Sequence, residues 1–184
     1  HDNNAGTASV AMGFSPIGIF DTAYFKAVFD GAGYEISNLD INRPASDDNG
    51  LFGATKDAVI ANVGAANVNI TGKAYVGGLA GYARNSSITD SYATGVVEGS
   101  GVYVGGLMGQ IDSSASVTAS YAMVAVEGSE YLGGLLGGIS ESVVNVSYAT
   151  GAVKGTEDYV GGLVGRASNS SITASYATGS VSGG

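Results

Sequence analysis

Cysteine and tryptophan are absent from the 184 residues, proline occurs twice, and the single histidine stands at position 1. Without cysteine there is no disulfide stapling and no thiol chemistry. One terminal histidine excludes a buried His-centred triad, and the His-Glu-x-x-His arrangement of a zinc peptidase is missing. Charged residues make up only 12% and leave a net charge of −9, so electrostatic binding to nucleic acid or to an anionic membrane surface is not expected. No apolar run approaches the roughly 18 to 20 residues that a helical bilayer span needs, and no signal peptide is visible. Scarce charge works against solubility, and here Ser, Thr, Asn and Gly are read as the polar surface instead. The composition fits a secreted protein.

What the chain does contain is repetition. Gly-Leu-any-Gly occurs five times at a step of 28 residues: Gly50, Leu51 and Gly53; Gly78, Leu79 and Gly81; Gly106, Leu107 and Gly109; Gly134, Leu135 and Gly137; Gly162, Leu163 and Gly165. Tyr75, Tyr103, Tyr131 and Tyr159 precede four of these blocks at the same step, and a second set, Tyr92, Tyr121, Tyr148 and Tyr176, follows them at steps of 29, 27 and 28. A fixed period of this size without helix-forming composition marks an array of β-strands in which each repeat buries its apolar face by stacking on the next. The expected fold is all-β, a parallel β-helix (β-solenoid) with 28-residue rungs, right-handed because parallel crossovers have that hand. The extra residue near Asp112 to Ser116, offset by one fewer after Tyr121, places these positions in loops.

Three short strands are expected per rung: one around Tyr-Val-Gly-Gly-Leu, one through Ile88, Val117, Val144 or Ile172, and one through Val97, Val126, Val153 or Val181. Side-chain alternation puts each second-set tyrosine on one face with the apolar residue four before it, and the valine five after it on the other. A corner is therefore expected at the Thr-Gly step, at Gly95, Gly151 and Gly179 with positive φ; Val124 departs from the pattern. Residues 1–20 read as an N-terminal arm or cap, 21–49 as an opening rung, and 50–184 as five repeats of one continuous solenoid. The last repeat stops at Gly183-Gly184 with no cap in view, so either the chain continues or another subunit covers it.

Gly-Leu-any-Gly followed by Ser-Tyr-Ala-Thr-Gly resembles the GLUG motif of bacterial surface proteins, large adhesins among them. The motif also occurs in the immunoglobulin A1 protease family, outside its catalytic domain. Phe29 to Leu39, Phe-Asp-Gly-Ala-Gly-Tyr-Glu-Ile-Ser-Asn-Leu, resembles the lead into such arrays. The resemblance spans about residues 25–184. It implies a parallel β-helix, placement outside the cell or on its surface, and a part in adhesion or display, and it carries over no catalytic residue. Self-association into a homopolymer, by end-to-end contact or by a donated strand, or the remainder of a larger surface protein, is the partner expected; a host or matrix glycan is the alternative.

Each candidate site has a plain structural counterpart. Rows of tyrosines offer flat faces to sugars, or else stack on one another as a ladder. Asp47, Asp48 and Asn49 supply oxygen ligands of the calcium type, yet a turn rich in Asp and Asn needs no ion. Glu98, Glu127 and Lys154 read as a mixed row on a solvated corner. Arg84 and Arg166 read as one repeat position, with Gln110 close to it and no carboxylate in their column, which leaves a lyase or glycosidase without its acid pair. The sequons at Asn69, Asn85, Asn145 and Asn169 recur because the repeat does. Neither an enzyme nor a cofactor or metal is expected.

Overall fold

The structure, a computed structural model, describes residues 11–183; His1 and the first half of the N-terminal arm, together with Gly184, lie outside the described residues. Every regular element among these is a β-strand. The strands form a six-stranded, a five-stranded and an eleven-stranded sheet. In the first the order is Val28–Asp30, Val59–Ala61, Ser87–Thr89, Ser116–Thr118, Val143–Asn145 and Ser171–Thr173, which is the order of the chain. Named strand pairs are parallel, as in Met108↔Leu136, Val117↔Val144 and Val126↔Val153. The chain therefore winds as a three-sided β-solenoid, each circuit resting on the last about 4.8 Å away.

One circuit shows how the sequence makes the turns. Tyr92–Gly105 runs along the eleven-stranded sheet, Met108–Asp112 along the five-stranded and Ser116–Thr118 along the six-stranded one. Its corners are one or two residues in the left-handed region: Tyr103 (φ 61°), then Ser113 and Ser114 (52° and 69°), then Ala119 (50°). Other circuits use one residue at the second corner, Asn85, Glu141 or Asn169, so the inserted residue is absorbed there as a second left-handed position. The compensating deletion is not in a loop as expected but within the paired strands Tyr92–Gly105 and Tyr121–Gly133, as a register shift with Gly99 opposite Gly128 but Val102 opposite Glu130.

The corner expected at the Thr-Gly step is not there. Tyr92–Gly105 runs through Thr94-Gly95 as one strand, with Ala93 and Val97 buried while Val96 and Glu98 are exposed, and Tyr121–Gly133 does the same past Val124. The tyrosine faces out and the valine faces in on one strand, which plain alternation allows. The parity change lies earlier: Ile88 is fully buried and Tyr92 is outside because Asp90, at φ 47°, turns the chain between them. Of the three glycines expected at positive φ, only Gly95 has it (125°). Gly151 is needed for a different reason, since a Cβ there would collide with the Val124 carbonyl oxygen.

Columns of like residues fill the interior: Leu51, Leu79, Leu107 and Leu135; Ile60, Ile88, Val117 and Val144; Ile70, Val97, Val126 and Val153. Serine joins them, against the expectation that it serves the surface. Ser91, Ser120 and Ser147 are buried at the corner before each outer tyrosine. Each donates its hydroxyl to the carbonyl two residues back, at 2.7 to 2.9 Å. Each also accepts an N–H from the preceding circuit: Val63 to Ser91, Ser91 to Ser120 and Ser120 to Ser147. A corner interrupts the backbone ladder, and the hydroxyl supplies the missing partner that a buried amide requires.

At the N-terminal end, residues 12–25 lie along their own first circuit. Phe14 N–H donates to the Asp40 carbonyl and Asn42 N–H to that of Met12; Ile17 N–H donates to Leu51 and Gly53 N–H to Ile17. Phe25 and Phe29 pack their rings on Phe52, centroids 4.9 and 5.3 Å away. These contacts cover an open sheet edge and the top of the core. Asp30 and Glu35 sit in different sheets on either side of a turn closed by Tyr34 N–H to the Gly31 carbonyl, so the opening rung already bends as a solenoid corner.

Candidate functional site

The two tyrosine sets form two columns on the outside of the solenoid. In the column Tyr92, Tyr121, Tyr148 and Tyr176, successive centroids lie 4.9, 5.0 and 5.2 Å apart with planes within 3°, 5° and 6° of parallel. The spacing of the sheet sets this distance, since tyrosines one circuit apart are register partners. The Tyr92 ring lies over Gly64, where an added Cβ would meet the ring in its present place. Its hydroxyl donates to Glu35 Oε2 at 2.7 Å, and that bond, with a smaller part from burial, pushes the phenol up to about 12.

The column Tyr75, Tyr103, Tyr131 and Tyr159 stands on the left-handed corner, at φ 52° to 62°. Such a conformation costs roughly 1–2 kcal/mol per residue, and ring stacking at 5.4, 4.8 and 5.0 Å offsets part of it. Planes here diverge by 15°, 23° and 36°. Tyr82 meets Tyr75 edge-on and donates to Asp112 Oδ2 at 2.5 Å; burial first, then this bond, pushes its phenol upward. The tyrosine corner was not foreseen from the sequence. In the first repeat the pairing of Asn49 with Val76 puts Asp48 in the tyrosine slot, one residue off the 28-residue step, so spacing alone does not find it; Asp tolerates the left-handed region better than most residues. Asp48 indeed has φ 57°.

In both columns the ring faces are occupied by neighbouring rings, which leaves chiefly the hydroxyl edges to meet a sugar. The Gly-Leu-any-Gly blocks form no surface site. Their first four leucines are buried and Leu163 is half-buried. Their glycines mark close approach of strands: a Cβ on Gly137 would stand 2.5 Å from Val104 N, and one on Gly106 would strike the Gly134 carbonyl oxygen.

Asp47, Asp48 and Asn49 border one depression but belong to no metal-ligating cluster of His, Cys, Asp or Glu among the described residues. Asn49 is turned into the core, fully buried, its amide donating to the Ser46 carbonyl at 2.7 Å. Asp48 lies in a depression of about 220 Å³ lined also by Pro16, Gly18 and Arg43. Its Oδ1 has no hydrogen-bond partner among the described residues, and burial, followed by the charges of Asp47 and Asp21, pushes its carboxyl up to about 7. Glu98 and Glu127 are register partners, with Lys154 next in line and its Nζ 3.6 Å from Glu127 Oε2. Glu98 and Glu127 edge a shallow groove of about 380 Å³.

Arg84 and Arg166 are not one repeat position. Arg84 is in register with Asp112, whose Oδ1 lies 3.8 Å from its Nε, while Arg166 is in register with Gly138. A carboxylate thus accompanies Arg84 after all. The reading failed because the two arginines follow their glycines by three residues and by one. Arg166 instead reaches over the corner tyrosines, donating to the Tyr103 hydroxyl at 2.8 Å with its guanidinium 5.4 Å from the Tyr131 ring centre.

Residues 72–98 and 157–182 match the GLUG motif. They contain the second and fifth Gly-Leu-any-Gly blocks, so the motif corresponds to one circuit of this solenoid. No curated protein and no solved structure matches the chain.

Proposed function

We propose that this GLUG-repeat β-solenoid is a non-catalytic structural module of a cell-surface protein, located outside the cell, that lengthens by end-to-end contact into rods or filaments and serves adhesion or display. The observation that carries this reading is the stacking itself: like residues pair in parallel register from circuit to circuit, as in Met108↔Leu136, Val117↔Val144 and Val126↔Val153, and fill the interior with continuous apolar columns. A unit of this kind buries its apolar columns against the next unit, and a head-to-tail contact between such layers is heterologous and propagates. The donated-strand variant has less support, because residues 12–25 already pair with their own chain. Absence of enzyme activity is part of the proposal, supported by outer faces built from repeated columns rather than from a converging acid and base. Negative-stain electron microscopy at several protein concentrations tests it. Rods that lengthen with concentration support self-assembly, and rods of one circuit-stack length at every concentration overturn it.

A further inference from the structure

The column Tyr92, Tyr121, Tyr148 and Tyr176 has a property that packing alone does not require. Four phenol rings stand in line with about 5 Å between centroids, nearly parallel. They lie on an outer face, half-buried to exposed. The chain has no Trp and no Cys, so tyrosine is its readiest one-electron donor, and a hole created on the surface comes to rest on a phenol. At the start of the column the Glu35 carboxylate accepts the Tyr92 hydroxyl at 2.7 Å. That carboxylate is placed to take the phenolic proton as the electron leaves, which avoids a charged radical intermediate.

We propose that this column is an oxidative modification site, at which hydrogen peroxide acting through a haem peroxidase joins tyrosines of successive circuits by dityrosine bonds. Two neighbouring phenols each lose one electron and one proton, and the two phenoxyl radicals form a carbon–carbon bond between their ortho carbons. Each of those carbons then releases its hydrogen as the rings regain aromaticity and the hydroxyls. In sum, two tyrosines and one hydrogen peroxide give one dityrosine and two waters. The stack brings the ortho carbons of adjacent rings close without diffusion, and an exposed ring edge is free to tilt by the amount the bond demands. Each link ties one circuit covalently to the next, which does for a chain without cysteine what a disulfide does elsewhere.

The corner column is the internal comparison. Its rings diverge by up to 36°. Arg166 lies over Tyr131 and donates to Tyr103, and a fixed positive charge opposes removal of an electron from those rings. Coupling there is the slower reaction.

The test treats the full chain with hydrogen peroxide and a haem peroxidase and follows dityrosine fluorescence, intact mass and tryptic peptides. Cleavage after Lys154 and Arg166 puts Tyr148 in residues 85–154 and Tyr176 in residues 167–184, so their link appears as a bridged peptide. The expected result is a monomer that loses two hydrogens per link and contains that bridge. Oxygen added to the three Met residues raises the mass and is told apart. With Tyr121→Phe and Tyr148→Phe together, no two tyrosines of the column remain adjacent while the rings still stack; most of the fluorescence is lost at an unchanged melting temperature. The pair Tyr103→Phe and Tyr131→Phe retains it. Links found only between chains, or fluorescence that follows the corner column instead, overturn the proposal.

Discussion

Gly134 and Gly162 hold the same place in successive repeats and have different surroundings. A Cβ on Gly134 would run into the Gly162 carbonyl oxygen, whereas one on Gly162 finds its nearest neighbour, Ala177 Cβ, at 3.3 Å. Gly134→Ala is expected to cost about 1–3 kcal/mol, the usual range for forced overpacking, and Gly162→Ala much less; the midpoints of urea denaturation compare them. Asp48 makes a second prediction at this scale. Its carboxyl is raised from 3.8 to about 7, so the folded chain holds a proton that the unfolded chain has released. Stability from this group is complete below about pH 3.8 and declines as the pH rises to about 7. Asp48→Asn is therefore expected to raise the melting temperature at pH 8 and to change it little at pH 4. The gain is of the order of 1–2 kcal/mol, discounted for the solvent that reaches this half-buried group. Equal gains at both values would show that the carboxyl is not the cause.

At the scale of the strand and the column, neighbours share the work. Tyr121 stacks on Tyr92 and on Tyr148, and Tyr176 on Tyr148 alone. With about 0.5–1.5 kcal/mol per stacked pair, Tyr121→Ala is expected to lose about twice what Tyr176→Ala loses, again read from urea midpoints. Ser120→Ala removes the acceptor of the buried Ser91 N–H, and an unpartnered buried amide costs about 1–3 kcal/mol. That effect exceeds what a small, hydroxyl-for-hydrogen change would do at the surface. The columns themselves were legible from spacing: a 28-residue step sets which leucine lies on which, and the tyrosine ladder follows from it. Which side of the wall the tyrosines occupy was not legible. A single left-handed residue such as Asp90 inverts the parity of everything after it, and Ala119 or Val146 at the same corner has no composition signal at all.

For the whole molecule, residues 12–25 cover the first circuit, with Ile17 pairing with Phe52 and bonding to Leu51 and Gly53. Deleting residues 1–20 uncovers the backbone groups of Leu51 and Gly53 and leaves Phe52 with less cover, so the shortened chain is expected to associate more strongly than the full one in light scattering. An unchanged scattering mass would mean that the segment covers nothing of consequence. What could be read from the order of residues was the architecture: the period, the stacking of like on like, the all-β class and the placement of insertions in loops. These follow from the one-dimensional logic of a repeat, in which each unit meets only its neighbours. The third dimension settled where the chain turns, that serines belong inside, that Asn49 is fully buried, and that Arg166 reaches over the tyrosines. All four depend on corner residues whose φ values and missing hydrogen-bond partners are created by the coil itself, and no local pattern encodes them.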